Sequence, residues 1–124
     1  MAEELYADVP YEYVSQAGGL VFAAGACPLD EDGGVVAPGD LEAQAHRAVD
    51  NLLAALELRG CGPGAILKTT VYVATADRAE LVRAWSVVEE RLAPARPPST
   101  LLGVSMLGYP DQLVEIEAIA GSAR

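Results

Sequence analysis

Glu115, Cys27, His46 and the pair Ser99-Thr100 are the side chains in this sequence whose types could do chemistry. Glu115 alternates with Ile116 and Glu117, and a two-residue period puts both carboxylates on one face of a strand. Such a face is either a solvated acidic stripe or a site where a shielded carboxylate orients or activates water. Cys27 follows Gly25-Ala26. A free thiol there is a small buried hydrophobe, or a nucleophile if a base lies beside it, and none is adjacent in the sequence. His46 sits among Gln44, Arg47 and Asp50 in a helical pattern, which suits an exposed or interface position better than a general base. Ser99-Thr100 either hydrogen-bond a ligand or cap a strand entry. No phosphate-cradling glycine loop, dinucleotide fingerprint or zinc-ligand spacing occurs. The acidic turn Asp30-Glu31-Asp32-Gly33-Gly34 lacks the spaced ligands of a calcium loop. Neither metal nor cofactor is expected.

The elements that position these groups follow from periodicity. Tyr11 to Val14 belongs to a first strand, and the apolar run Leu20 to Gly25 reads as a buried second one, stopped by Pro28. Asp40 caps a helix running to about Arg59, with Leu41, Ala45, Ala48, Val49, Leu52, Leu53 and Leu56 on one stripe. Gly60 ends it. Ile66 to Ala74 is a β-branched strand. Asp77 and Glu80 resemble a capping box opening a second helix, whose buried stripe is Leu81, Trp85, Val88 and Leu92. Thr100 to Leu107 and Leu113 to Ala120 then read as a hairpin across Gly108-Tyr109-Pro110-Asp111, with Tyr109 at a rim. Two helices on one face of a mixed sheet make a two-layer α/β sandwich, taken as a single domain over residues 1–124. Leu101, Val104, Met106, Val114, Ile116 and Ile119 are too apolar for an uncovered sheet face, which predicts self-association.

Composition narrows the partners. With 18 acidic residues against 8 basic ones the net charge is −10, and a phosphate-tracking surface needs clustered cations. Nucleic acid is therefore not an expected partner. No apolar run approaches the roughly 20 residues that cross a bilayer, so no membrane partner is expected either. Met1-Ala2-Glu3-Glu4-Leu5 does not read as an export signal, which predicts a cytoplasmic protein with free thiols.

Across nearly its whole length the chain resembles the Rid family (YjgF-type, reactive intermediate deaminase). The matching pieces are Pro10-Tyr11, Gly18 to Pro28, and Ala48-Val49-Asp50-Asn51-Leu52. Most specific are Leu67-Lys68-Thr69-Thr70-Val71-Tyr72-Val73 and Val114-Glu115-Ile116-Glu117-Ala118-Ile119-Ala120. The resemblance implies a chorismate-mutase-like α/β fold, packed as a homotrimer with a small-molecule cleft at each subunit boundary. It implies water attack on an enamine or imine, releasing ammonia. It maps the family's Glu onto Glu115 as the catalytic group, its Tyr onto Tyr11 and a small polar position onto Ala24, with Cys27 at the strand end lining the cleft. The family's carboxylate-binding Arg falls on Ser99, beside Thr100, and one hydroxyl does not replace a bidentate guanidinium. Arg96 would be the clamp only with a three-residue insertion at the strand start. The resemblance therefore implies an arginine-lacking branch with weak 2-aminoacrylate deaminase activity. The alternatives are a non-catalytic metabolite-sensing trimer and an endoribonuclease, the latter opposed by the charge.

Overall fold

The structure, a computed structural model, describes residues 5–122. Met1 to Glu4, in which no export signal is read, lies outside the described residues. The strands are β1 (Val14–Ala17), β2 (Leu20–Ala26), β3 (Ile66–Ala74), β4 (Ser99–Val104) and β5 (Val114–Gly121). The helices are α1 (Leu41–Glu57) and α2 (Arg78–Leu92), with a short 3-10 turn at Pro63–Ala65. The five strands form one mixed sheet in the order β1-β2-β5-β3-β4. β1 and β2 form a hairpin turned at Gly18, whose φ of 61° favours glycine.

Both helices start where their caps require. The Asp40 carboxylate accepts from the Ala43 N–H at 3.0 Å, and the Asp77 carboxylate accepts from the Ala79 N–H at 2.9 Å. The second cap departs from a reciprocal box. Thr75 Oγ1 accepts from the Asp77 N–H at 2.9 Å and donates to Glu80 at 2.5 Å, so the threonine stands between the two acidic residues. The core lies between the helices and one sheet face. Leu52, Leu56 and Val49 of α1 and Val88 of α2 meet Val21, Val71, Val73 and Ile116, all fully or almost fully buried.

Three expectations fail here. β4 and β5 do not form a hairpin: β4 pairs parallel with β3, and β5 lies between β2 and β3, antiparallel to both. The α2 crossover delivers β4 parallel to β3 at the sheet edge, and β5 takes the central slot. Its buried side chains explain that choice, since Val114, Ile116, Ala118 and Ala120 all point into the helix layer. For the same reason Val114 and Ile116 do not belong to the uncovered face. That face carries Leu20, Phe22 and Leu102, each 40–44% exposed, with Ile119, Thr70, Tyr72, Glu115 and Glu117 between them. Met106 follows β4 and is 79% exposed. On α2 the buried stripe is Ala84, Val87, Val88 and Leu92, while Leu81 and Trp85 are only half-buried at its edge.

Candidate functional site

The register of β2 against β5 slips between Ala23, opposite Ala118, and Ala26, opposite Ile116. This bulge brings the β2 backbone at Gly25 under the Glu115 carboxylate. A Cβ on Gly25 would lie 2.0 Å from Glu115 Oε2 and 2.7 Å from its carboxyl carbon. The missing side chain at Gly25 leaves the space that the carboxylate fills over the strand.

Glu115 Oε1 is held by two donors. Gln112 Nε2 donates to it at 3.1 Å and the Cys27 thiol at 3.5 Å. Gln112 is itself fixed, because it is almost fully buried, donates to the Val114 carbonyl at 3.0 Å and accepts from the Tyr109 N–H at 3.1 Å. Burial and then the neighbouring Glu115 charge push the Cys27 thiol up to about 12. Cys27 is therefore a neutral donor that orients the carboxylate, and at neutral pH it is not a thiolate nucleophile.

Around this pair opens a cleft of about 410 Å³. Tyr11, Tyr109, Cys27, Gln112 and Glu115 bring functional groups to it, and the small residues Ala24, Gly25 and Gly108 leave the room. Burial, followed by a hydrogen bond with Tyr109, raises the Tyr11 phenol well above its ordinary range, so it stays a neutral hydroxyl. Tyr11 also stacks edge-on against Tyr13, with ring centroids 6.1 Å apart.

Two buried amides of α1 hold the walls. Gln44 Nε2 donates to the carbonyls of Asp111 at 3.0 Å and Ala37 at 3.3 Å, and its Oε1 accepts from the Leu113 N–H at 2.8 Å. The loop that presents Tyr109 and Gln112 is thereby tied to the helix, with Asp111 in the left-handed region at φ 67°. Asn51 Nδ2 donates to the carbonyls of Cys27 at 2.8 Å and Leu29 at 2.9 Å, fixing the end of β2. The sequence reading missed Gln112, Gln44 and Asn51 as supports. For Gln44 a signal existed, since it falls three residues after Leu41 on the apolar stripe.

The structure thus brings Tyr11, Ala24, Cys27 and Glu115 together and sets the other expected residues elsewhere in the chain. The Ser99 hydroxyl bonds to Thr69 Oγ1, whose side chain is buried in the helix layer, so Ser99 turns away from the uncovered face. Thr100 lies on that face, where Lys68 Nζ donates to its hydroxyl at 3.2 Å. Arg96 lines a separate groove of about 480 Å³ with Trp85, Glu89 and Leu92, behind the end of α2. Glu117, opposite Thr70 on the uncovered face, does not line the cleft. His46 is exposed, its Nδ1 3.2 Å from Arg91, which also bonds Asp50. The Cys61 thiol is buried and faces the Gly121 carbonyl at 3.6 Å.

The model of the family described as Endoribonuclease L-PSP matches residues 1–122. The chain belongs to this family, the Rid or YjgF type. A RutC family protein of Pyrococcus abyssi is 32% identical over 111 residues, spanning 90% of this chain and 85% of the relative. The 2-iminobutanoate/2-iminopropanoate deaminase of Escherichia coli K12 is 38% identical over 64 residues, 52% of this chain and 49% of that enzyme. The crystal structure of the E. coli YjgF gene product superposes with a TM-score of 0.81 at 30% identity, covering 96% of this chain and 93% of that one. Two helices over a mixed five-stranded sheet are therefore the YjgF-type fold. Among the described residues no helix is long and apolar enough to cross a membrane.

Proposed function

We propose that this Rid-family chain hydrolyses a small imine or enamine in clefts that neighbouring copies of a homotrimer complete. The observation that carries the reading is the Glu115 carboxylate. Its Oε1 is occupied by Cys27 and Gln112, while Oε2 lies over Gly25 at the cleft. Oε2 accepts a proton from water as the water oxygen bonds to the carbon of the protonated imine, and the C=N π electrons move to nitrogen. The resulting carbinolamine takes the proton from Glu115 onto nitrogen. Glu115 then removes the hydroxyl proton as the C–N bond breaks, leaving a carbonyl compound and ammonia, which recovers the proton as ammonium. One water is consumed and no redox partner is needed. A relative that matches half of the chain carries an imine deaminase name, which supports the reaction class. The half-exposed Leu20, Phe22 and Leu102 on one sheet face support the trimer, because a patch of that kind is covered most readily by its own copies.

One feature favours a second reading, a metabolite-binding trimer without turnover. The two donors already on Oε1 hold the carboxylate in place, an arrangement that anchors a ligand N–H as readily as it holds a water. A single assay separates the two: follow carbonyl release from an enzymatically generated imine with and without the protein. Acceleration that disappears in Glu115→Gln establishes hydrolysis. Equal rates with and without protein, together with measurable ligand binding, establish the sensor. RNA cleavage is opposed by the net charge of −10.

A further inference from the structure

We infer that the Glu115 cleft selects a small organic cation, namely a protonated imine or amidinium-like head on an uncharged body, over a carboxylate-bearing ligand. The inference deepens the hydrolytic reading and rests on it for the identity of the site.

Glu115 provides the charge. Two donors reach Oε1, while Oε2, seated over Gly25, meets no hydrogen-bond donor among the described residues. Oε2 is an acceptor that asks for an N–H, and a charged N–H is the stronger partner. The other donors at the cleft do not offset that charge. The single Cys27 hydrogen is divided between Oε1 at 3.5 Å and the Gly25 carbonyl at 3.6 Å, and Gln112 spends one hydrogen on Oε1 and another on the Val114 carbonyl. The Tyr11 and Tyr109 hydroxyls bring no cationic donor.

The rings add to the preference. Tyr11 and Tyr109 both line the cleft, and the electron-rich face of a phenol attracts a desolvated cation. Among the described residues that line this cleft none is Lys, Arg or His. Arg96 sits in the groove behind α2, and Lys68 is held by Thr100. A carboxylate entering here meets a like charge and finds no guanidinium fork among the described residues that this chain contributes. A net charge of −10 extends the same bias beyond the cleft by drawing cations in and repelling anions.

A substrate of this class is an imine made from an amine, not from an amino acid. Protonated at nitrogen, it places an N–H on Oε2 and its electrophilic carbon over the small residues Ala24 and Gly25. The reaction supplying it must oxidise or condense an amine that lacks an adjacent carboxylate.

Benzamidinium, benzamide and benzoate share one ring and a planar head and differ in charge. Their affinities for the whole protein are measured calorimetrically at neutral pH in low and moderate salt. Benzamidinium is expected to bind at least tenfold more tightly than benzoate, with benzamide between them and the gap narrowing in salt. In Glu115→Gln, with unchanged circular dichroism, the gap is expected to close. In Glu117→Gln, a carboxylate on the same face outside the cleft, it is expected to persist. Benzoate binding as tightly as benzamidinium, or a cation preference that survives Glu115→Gln, would overturn the inference. Binding and turnover are read separately, so the two proposals fail separately. A protein that prefers benzamidinium but accelerates no imine hydrolysis keeps the ligand class and loses the reaction. One that prefers benzoate while hydrolysing imines keeps the reaction and loses the ligand class.

Discussion

Gly25 and Glu115 face each other across β2 and β5 so closely that a single methyl on the glycine would lie 2.0 Å from Glu115 Oε2. The atom it would meet is the end of a flexible side chain, so the fold can yield there and the site cannot. Gly25→Ala is expected to change the melting temperature little. It should lower any Glu115-dependent turnover by about a hundredfold, the scale on which displacing a reacting group by an ångström acts. Thermal denaturation and a turnover assay on the same preparation check this. A large fall in melting temperature, or full activity, would contradict it.

Cys27 supplies a second test. Burial and the adjacent Glu115 carboxylate raise its thiol to about 12. Removing the carboxylate takes away a cause that raises the value, so the thiol of Glu115→Gln must ionise at lower pH than that of the wild type. Iodoacetamide labelling of Cys27, followed by mass spectrometry, is expected to be slow at pH 8 and faster in the variant. Rapid labelling of the wild type at pH 7 would mean that the thiol is not held protonated.

Gln44 ties three main-chain groups of two loops to α1. Gln44→Leu keeps the buried volume and strands those groups. At about 1–3 kcal/mol for each buried group left unsatisfied, with some recovered by water, we expect a loss of roughly 2–4 kcal/mol. Urea unfolding measures it, and a change under 0.5 kcal/mol would show that the amide is dispensable. Gln112→Leu is expected to cost less stability than this but to free the Glu115 carboxylate, lowering turnover more than it lowers the unfolding midpoint.

Acid stability has a small contributor in the surface pair between Glu42 and Arg83, with bonds of 2.7 and 2.8 Å. The pair lowers the Glu42 carboxyl to about 2, its largest cause being the Arg83 hydrogen bond. A depressed folded value means that the pair stabilises the fold above the ordinary carboxylate range. That contribution is lost as pH falls towards 2. Because the pair is exposed, the effect is small and screened by salt. NMR titration of Glu42 should move to the ordinary range in Arg83→Ala. An unchanged midpoint would remove the pair as its cause.

The proposed trimer is read out by size. Sedimentation at micromolar concentration should give one species of three chains. Phe22→Asp, which buries a charge if the sheet faces meet, should dissociate it. A stable wild-type monomer would remove the shared clefts.

Most of the fold was legible because the periodicities are strong. The α1 stripe from Leu41 to Leu56, the Ile66–Ala74 strand and the alternation along Val114 to Ala120 each assign an element from local pattern alone. The hairpin expectation failed because neighbours in sequence were paired, whereas the α2 crossover sends β4 to the edge and leaves the centre to β5. Strand alternation and family resemblance both point to Glu115, and the resemblance alone to Cys27, Tyr11 and Ala24; the four line one cleft. Gln112 was not found, since a lone glutamine between Asp111 and Leu113 has no period and its role exists only once the loop is closed. Ser99 was placed at the carboxylate-binding position by local matching. Its hydroxyl turns to buried Thr69, a direction that depends on the register of β4 against β3.

The central claim is that Glu115 Oε2 works on an imine that carries no carboxylate. Its most direct measurement compares two imines generated in place, one released by an amine oxidase acting on benzylamine and one by a dehydratase acting on serine. Carbonyl release is followed with wild type, Glu115→Gln, Ser99→Ala and Arg96→Ala. We predict acceleration on the benzylamine product, lost on the order of a hundredfold in Glu115→Gln, and little acceleration on the serine product. Strong acceleration on the serine product that vanishes in Arg96→Ala but not in Ser99→Ala would contradict the claim and make Arg96 the carboxylate clamp.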